Sequence, residues 1–152
     1  MPEAISLEQF KSYIGKEIGL SEWIEIKQER INAFAECTED RQWIHTDPEL
    51  AKNGPYGKTV AHGYLVMSLL PFFNYQNRVF PAGAKMALNY GLNRLRFMNP
   101  VPVGSKIRNH CVLKAVVDKG PGKILVTIEN TIEIDGQQKP AAVAESLAMV
   151  FI

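Results

Sequence analysis

Downstream of Pro81 the chain holds four successive stretches of alternating apolar and polar residues, separated by turns and by no helix. Met86, Leu88, Tyr90 and Leu92 alternate with Ala87, Asn89, Gly91 and Asn93, the two-residue period of a strand with one face inward. Gly91 is placed for a bulge at which the apolar side passes to Leu95 and Phe97. After the turn 99–104, Ile107, Cys111, Leu113, Ala115 and Val117 form a second strand opposite Lys106, Arg108, His110 and Lys114. Ile124, Val126, Ile128, Ile132 and Ile134 form a third, closed by the hairpin signal Asp135-Gly136. Residues 141–152 form a fourth, with Val143, Leu147, Met149 and Phe151 on one face and small residues on the other. Strands joined by such short turns pair antiparallel, because a parallel crossover needs a dozen or more residues and usually a helix. A doubly wound parallel fold is thereby excluded.

The first half of the chain has to cover this sheet. Ser6 and Gln9 form a capping box, which predicts a short helix from Leu7 to Gly15 over a sheet edge. Residues 22–27 alternate as a strand, and Ile31, Phe34, Ala35 and Thr38 give 28–38 a helical period. Asp47-Pro48 is a helix start that Gly54 closes, and 53–58 is a turn. Tyr64 to Phe73 is apolar on every side, which predicts one helix enclosed all round, kinked or ended at Pro71. One apolar helix against a curved antiparallel sheet is the arrangement called a hot-dog fold. The class is α+β, with short helices in an overhanging segment, and the sheet's open edge predicts a homodimer.

Between the helical stretches, Asp40 and His45 stand five residues apart without a helical or strand period, so a loop brings an acid and an imidazole together just outside a helix start. That pairing suits proton transfer. Val60, Ala61 and His62 lead into Gly63, whose N–H opens the apolar helix without an intrahelical partner and is placed to hold an oxyanion. Ser68 on the helix and Asn89 on the first long strand are the polar candidates for lining the cleft. Each has a plainer reading: Asp40 as a cap, His45 as a packed histidine, His62 as a tie to the helix end, and Ser68 as a small residue easing helix–sheet contact.

The formal net charge of +1 leaves no field to favour nucleic acid. Cys37 and Cys111 have no metal-ligand spacing and are read as small buried residues, with a disulfide the less favoured alternative, and neither a metal nor another cofactor is called for. No apolar run is long enough to cross a bilayer, and the N-terminus lacks the basic flank and apolar core of an export signal. Residues 1–152 are therefore expected to be one domain in the cytoplasm, with no membrane partner. At this length a chain buries roughly 68–70% of its unfolded surface.

The segments T-E-D-R-Q-W-I-H-T-D-P-E-L-A and V-A-H-G-Y-L-V-M-S-L resemble the MaoC-like dehydratases, or R-specific enoyl-CoA hydratases, and within them the NodN-like branch. The family pattern runs small residue, glycine, aspartate, any residue, asparagine, proline, aliphatic residue, histidine. Thr38, Asp40, Ile44 and His45 match it, while Glu39, Gln42 and Trp43 stand at the glycine, asparagine and proline. The resemblance implies reversible syn addition of water to a trans-2-enoyl thioester of coenzyme A or acyl carrier protein. Asp40 and His45 would grip the water, and the Gly63 N–H would bind the thioester oxygen. Two alternatives share the fold: an acyl-CoA thioesterase, disfavoured because residues 62–77 carry no Asp or Glu, and a non-catalytic acyl-CoA-binding protein. The cations Lys106, Arg108 and Lys114 are candidates to meet coenzyme A phosphates.

Overall fold

A computed structural model describes residues 3–152. From the N-terminus, β1 (Glu3–Ile5), α1 (Leu7–Lys11), β2 (Glu17–Leu20), β3 (Ile24–Glu25) and α2 (Gln28–Thr38) lead to α3 (Trp43–Thr46) and α4 (Pro48–Ala51). Then come α5 (Gly63–Ser68), α6 (Leu70–Asn74), β4 (Val79–Pro81) and four long strands, β5 (Met86–Phe97), β6 (Lys106–Asp118), β7 (Lys123–Ile134) and β8 (Ala142–Phe151).

The main sheet runs in the order β2-β6-β7-β8-β5, with β3 also on β6, and every pairing in it is antiparallel. The pairing of β5 with β8 slips between Asn89 and Gly91, where the bulge was expected, and again between Leu92 and Arg94. This curved sheet against one helical segment, with α2 to α4 overhanging, is the hot-dog arrangement. The parallel pair β1–β4 was not legible, because three-residue strands carry too little alternation.

The core has two parts. Leu65, Val66, Leu70 and Phe73 of the helical segment pack with Ile107, Ile132, Ala142 and Ala144 of the sheet. The small face of β8 is the buried one, which lets the helix come close. Phe73 is 1% exposed, and burying such a side chain is worth about 1.5–3 kcal/mol. The second part gathers Phe10 of α1 with Ile18, Val79, Leu113 and Val126.

Several expectations are corrected. The apolar stretch is two short helices instead of one, since Pro71, near the start of α6, has no N–H to continue the ladder of α5. Nor is it enclosed all round: Tyr64 and Phe72 are exposed. Helix α1 keeps its capping box but ends at Lys11, and the strand expected over 22–27 shrinks to β3 while β2 forms before it. His45 lies inside the single turn α3, not on a loop, and Cys37 is exposed. Two of the three β6 cations are paired, Arg108 with Glu133 at 2.7 Å and Lys114 with Glu129 at 3.7 Å, which weakens this face as a site for phosphates.

Candidate functional site

Helix α2 ends at Glu39, which takes the left-handed conformation with φ 63° and turns the chain into Asp40. Glycine is the residue that adopts this conformation without strain. Exposed Arg41 pairs with Glu36 and Glu39 and braces the turn. Gln42 is extended and Trp43 is the first residue of α3, the position where a missing N–H costs nothing. Trp43 closes instead over Gly54, where a Cβ would sit 3.0 Å from its ring. Asp47 Oδ1 then accepts from the N–H groups of Glu49 and Leu50, both at 3.0 Å, and starts α4.

These turns bring His45 against His62. The rings stack with centroids 3.8 Å apart, and ligating atoms of Asp40, His45 and His62 all lie within 4.8 Å of one another. His45 Nδ1 donates to the Val60 carbonyl at 2.6 Å, which leaves Nε2 as the free acceptor. Gln28 holds the same turn, its Nε2 donating to the His45 carbonyl at 2.8 Å. Burial pushes the His45 pKa down; the Val60 carbonyl opposes this, His62 adds to it, and the Asp40 charge opposes it further. His62 Nε2 lies 2.9 Å from the Asp40 carbonyl and donates to it, tying the turn to the start of α5. His62 Nδ1 is buried without a partner among the described residues.

The three side chains have the composition of a metal site. The rings lie 26° apart and His62 Nε2 is already engaged, while its Nδ1 is free. A carboxyl beside the free Nε2 of His45 is an acid–imidazole pair suited to moving a proton.

Gly63 follows His62 at the start of α5, and no side chain caps the N–H groups there. A Cβ on Gly63 would meet the Phe97 ring at 3.0 Å. A cavity of about 270 Å³ lies there, lined by Ala61, Gly63, Phe97, Met98, Asn99 and other residues, but not by Asp40 or His45. Ser68 and Asn89 are brought together elsewhere, on a larger cavity of about 430 Å³, away from the histidines. Of the residues picked from sequence, Asp40, His45 and His62 form one group, with Val60 accepting from His45; Gly63 follows His62 in the chain and, with Ala61, lines a cavity that Asp40 and His45 do not. Phe97, Asn74 and Ser146 were missed, since nothing in a strand or helix period marks a residue that faces a cavity, and Gln28 was missed because its bond to the His45 carbonyl joins residues 17 apart in the chain.

The model of the MaoC like domain matches residues 9–135. The chain belongs to the MaoC-like family. Among curated relatives of this MaoC-like protein, 3-hydroxyacyl-thioester dehydratase Z of Mycobacterium tuberculosis (strain ATCC 25618 / H37Rv) is 46% identical over 142 residues, 93% of each chain. Nodulation protein N of Rhizobium leguminosarum bv. viciae is 41% identical, covering 96% of this chain and 91% of its own. Among solved structures, the (R)-hydratase from A. caviae involved in PHA biosynthesis superposes with a TM-score of 0.71 at 22% identity, covering 89% of this chain and 94% of that one. At that identity the likeness is one of fold.

Proposed function

We propose that this MaoC-like protein is an R-specific hydro-lyase of fatty acid metabolism. It would interconvert a trans-2-enoyl thioester and its 3-hydroxyacyl form, with Asp40 and His45 as the catalytic pair. The observation that carries the reading is the Asp40–His45–His62 group beside Gly63, in a chain 46% identical to a 3-hydroxyacyl-thioester dehydratase. In the hydration direction the Asp40 carboxylate accepts one hydrogen of the water and His45 Nε2 takes the other as a proton. The remaining hydroxide adds to C3, and the imidazolium returns its proton to C2 of the enolate on the same face. Each such acid–base step contributes typically ~10²–10⁴ in rate. The Gly63 N–H donates to the thioester oxygen as charge develops there, a contact worth about 2.7–4 kcal/mol. His62 is a positioning residue that holds the His45 ring and the Asp40 backbone.

The thioester carrier is coenzyme A or acyl carrier protein, the whole of 1–152 acts as one cytoplasmic domain, and two copies meet along β5. The test is loss of enoyl absorbance with crotonyl-CoA. Asp40→Asn is expected to lower kcat/KM by at least ~10² with little change in Tm. Unchanged turnover in that variant would end the reading.

A further inference from the structure

The larger cavity is mostly apolar but carries several polar side chains for which a plain alkyl chain has no use. Its lining includes the uncharged polar side chains of Ser68, Asn74, Asn89 and Ser146 beside the Tyr90 phenol, and no acidic or basic one. Asn74 and Asn89 also line an adjoining cavity of about 190 Å³, so the two spaces share this wall.

The wall is held from behind. Asn74 Oδ1 accepts from the Cys111 thiol at 3.3 Å. That thiol keeps its proton, because burial and then the Glu17 charge push its pKa up to about 12. With its carbonyl end turned to the core, Asn74 presents its NH₂ to the cavity, and that group makes no hydrogen bond among the described residues. Ser146 Oγ accepts from Asn130 Nδ2 at 2.9 Å, and Asn130 Oδ1 accepts from Asn109 Nδ2 at 2.9 Å. Asn109 and Asn130 are both 0% exposed, so the network belongs to the interior and is not a solvated fringe. The Asn89 amide likewise has no protein partner among the described residues. A hydrocarbon chain filling the cavity would strip these amides of water and give nothing back.

The cavity also lies against the helix that Gly63 opens. Helix α5 runs from Gly63 to Ser68, five steps of ~1.5 Å, so Ser68 is about 7.5 Å along the axis from the N–H that would hold the thioester.

We propose that this cavity receives the distal part of the acyl chain and selects acyl groups bearing a neutral oxygen there, a hydroxyl or a keto group, over plain alkyl chains. A carboxylate fits less well, since no cation lines the space to replace its water. The inference rests on the hydratase reading of Asp40 and His45.

The test compares kcat/KM for two trans-2-enoyl-CoA thioesters of equal length, one plain and one with a hydroxyl on its distal carbon, with crotonyl-CoA as a chain too short to reach Ser68. The hydroxylated chain is expected to win by about tenfold, the worth of one well-made neutral hydrogen bond. Asn74→Leu and, separately, Asn89→Leu are each expected to bring that ratio to one or below, mainly through KM. The Asn89 side chain is exposed and makes no protein hydrogen bond among the described residues, so its variant, checked by sedimentation for an unchanged oligomeric state because it lies on β5, keeps the test open should Asn74→Leu not fold. Turnover of crotonyl-CoA with no wild-type preference, or a preference that the folded variants leave untouched, overturns the inference alone. No turnover of any of the three removes the hydratase reading and this inference together.

Discussion

At Glu39 the backbone has a left-handed φ of 63° that glycine adopts freely and other residues adopt at about 1–2 kcal/mol. The Arg41 ion pair offsets little of this, because both side chains are exposed. Glu39→Gly is therefore expected to raise unfolding free energy in urea by about 0.5–1 kcal/mol, and Glu39→Val to lower it by at least about 1 kcal/mol. His45 is buried as the neutral ring, and burial is the main cause that holds its pKa below the ordinary 6.5. Its folded value is depressed, so its contribution to stability is complete above 6.5 and is lost as pH falls through the folded value. The acid limb of kcat/KM against pH is expected below 6.5 for the same reason, since the base stays unprotonated further into acid. A limb at or above 6.5 would take His45 out of the role of base.

Among the elements, the short ones lean on their caps. Helix α4 has four residues and is started by the two hydrogen bonds to Asp47, with Pro48 preset at its first position. Asp47→Ala is expected to cost about 1 kcal/mol, read from the shift of a urea midpoint. Because α4 follows α3 directly, a KM rise with kcat near wild type is the expected kinetic trace. The caps of α1 and α4 and the whole of α2 were legible, because capping oxygens and helical spacing are properties of near neighbours. The break between α5 and α6 was legible in part, since Pro71 marks it. The exposure of Tyr64 and Phe72 was not, because an apolar face does not say which surface will cover it.

For the whole molecule, β5 is the long open edge of the sheet, opposite the short edge strands β2 and β3. It pairs with β8 alone, and Met86, Leu88, Tyr90 and Leu92 are all exposed along it. An unpaired apolar edge of this length joins another chain or aggregates, so sedimentation is expected to show a dimer, and Leu88→Glu a monomer. A wild-type monomer at micromolar concentration would leave β5 without the proposed role. The antiparallel sheet, the apolar helical segment against it and the nearness of Asp40 and His45 in the chain were all determined by the sequence itself, because alternation, turn residues and caps act over a few residues of chain. The tertiary structure alone decided that His62 stacks on His45, that Phe97 walls the space beside Gly63, and that Ser68, Asn74, Asn89 and Ser146 share one cavity. Those contacts join residues far apart in the chain, and which of them form is set by how the sheet curves over the helix to bury the most apolar surface, a property that no short stretch of residues carries.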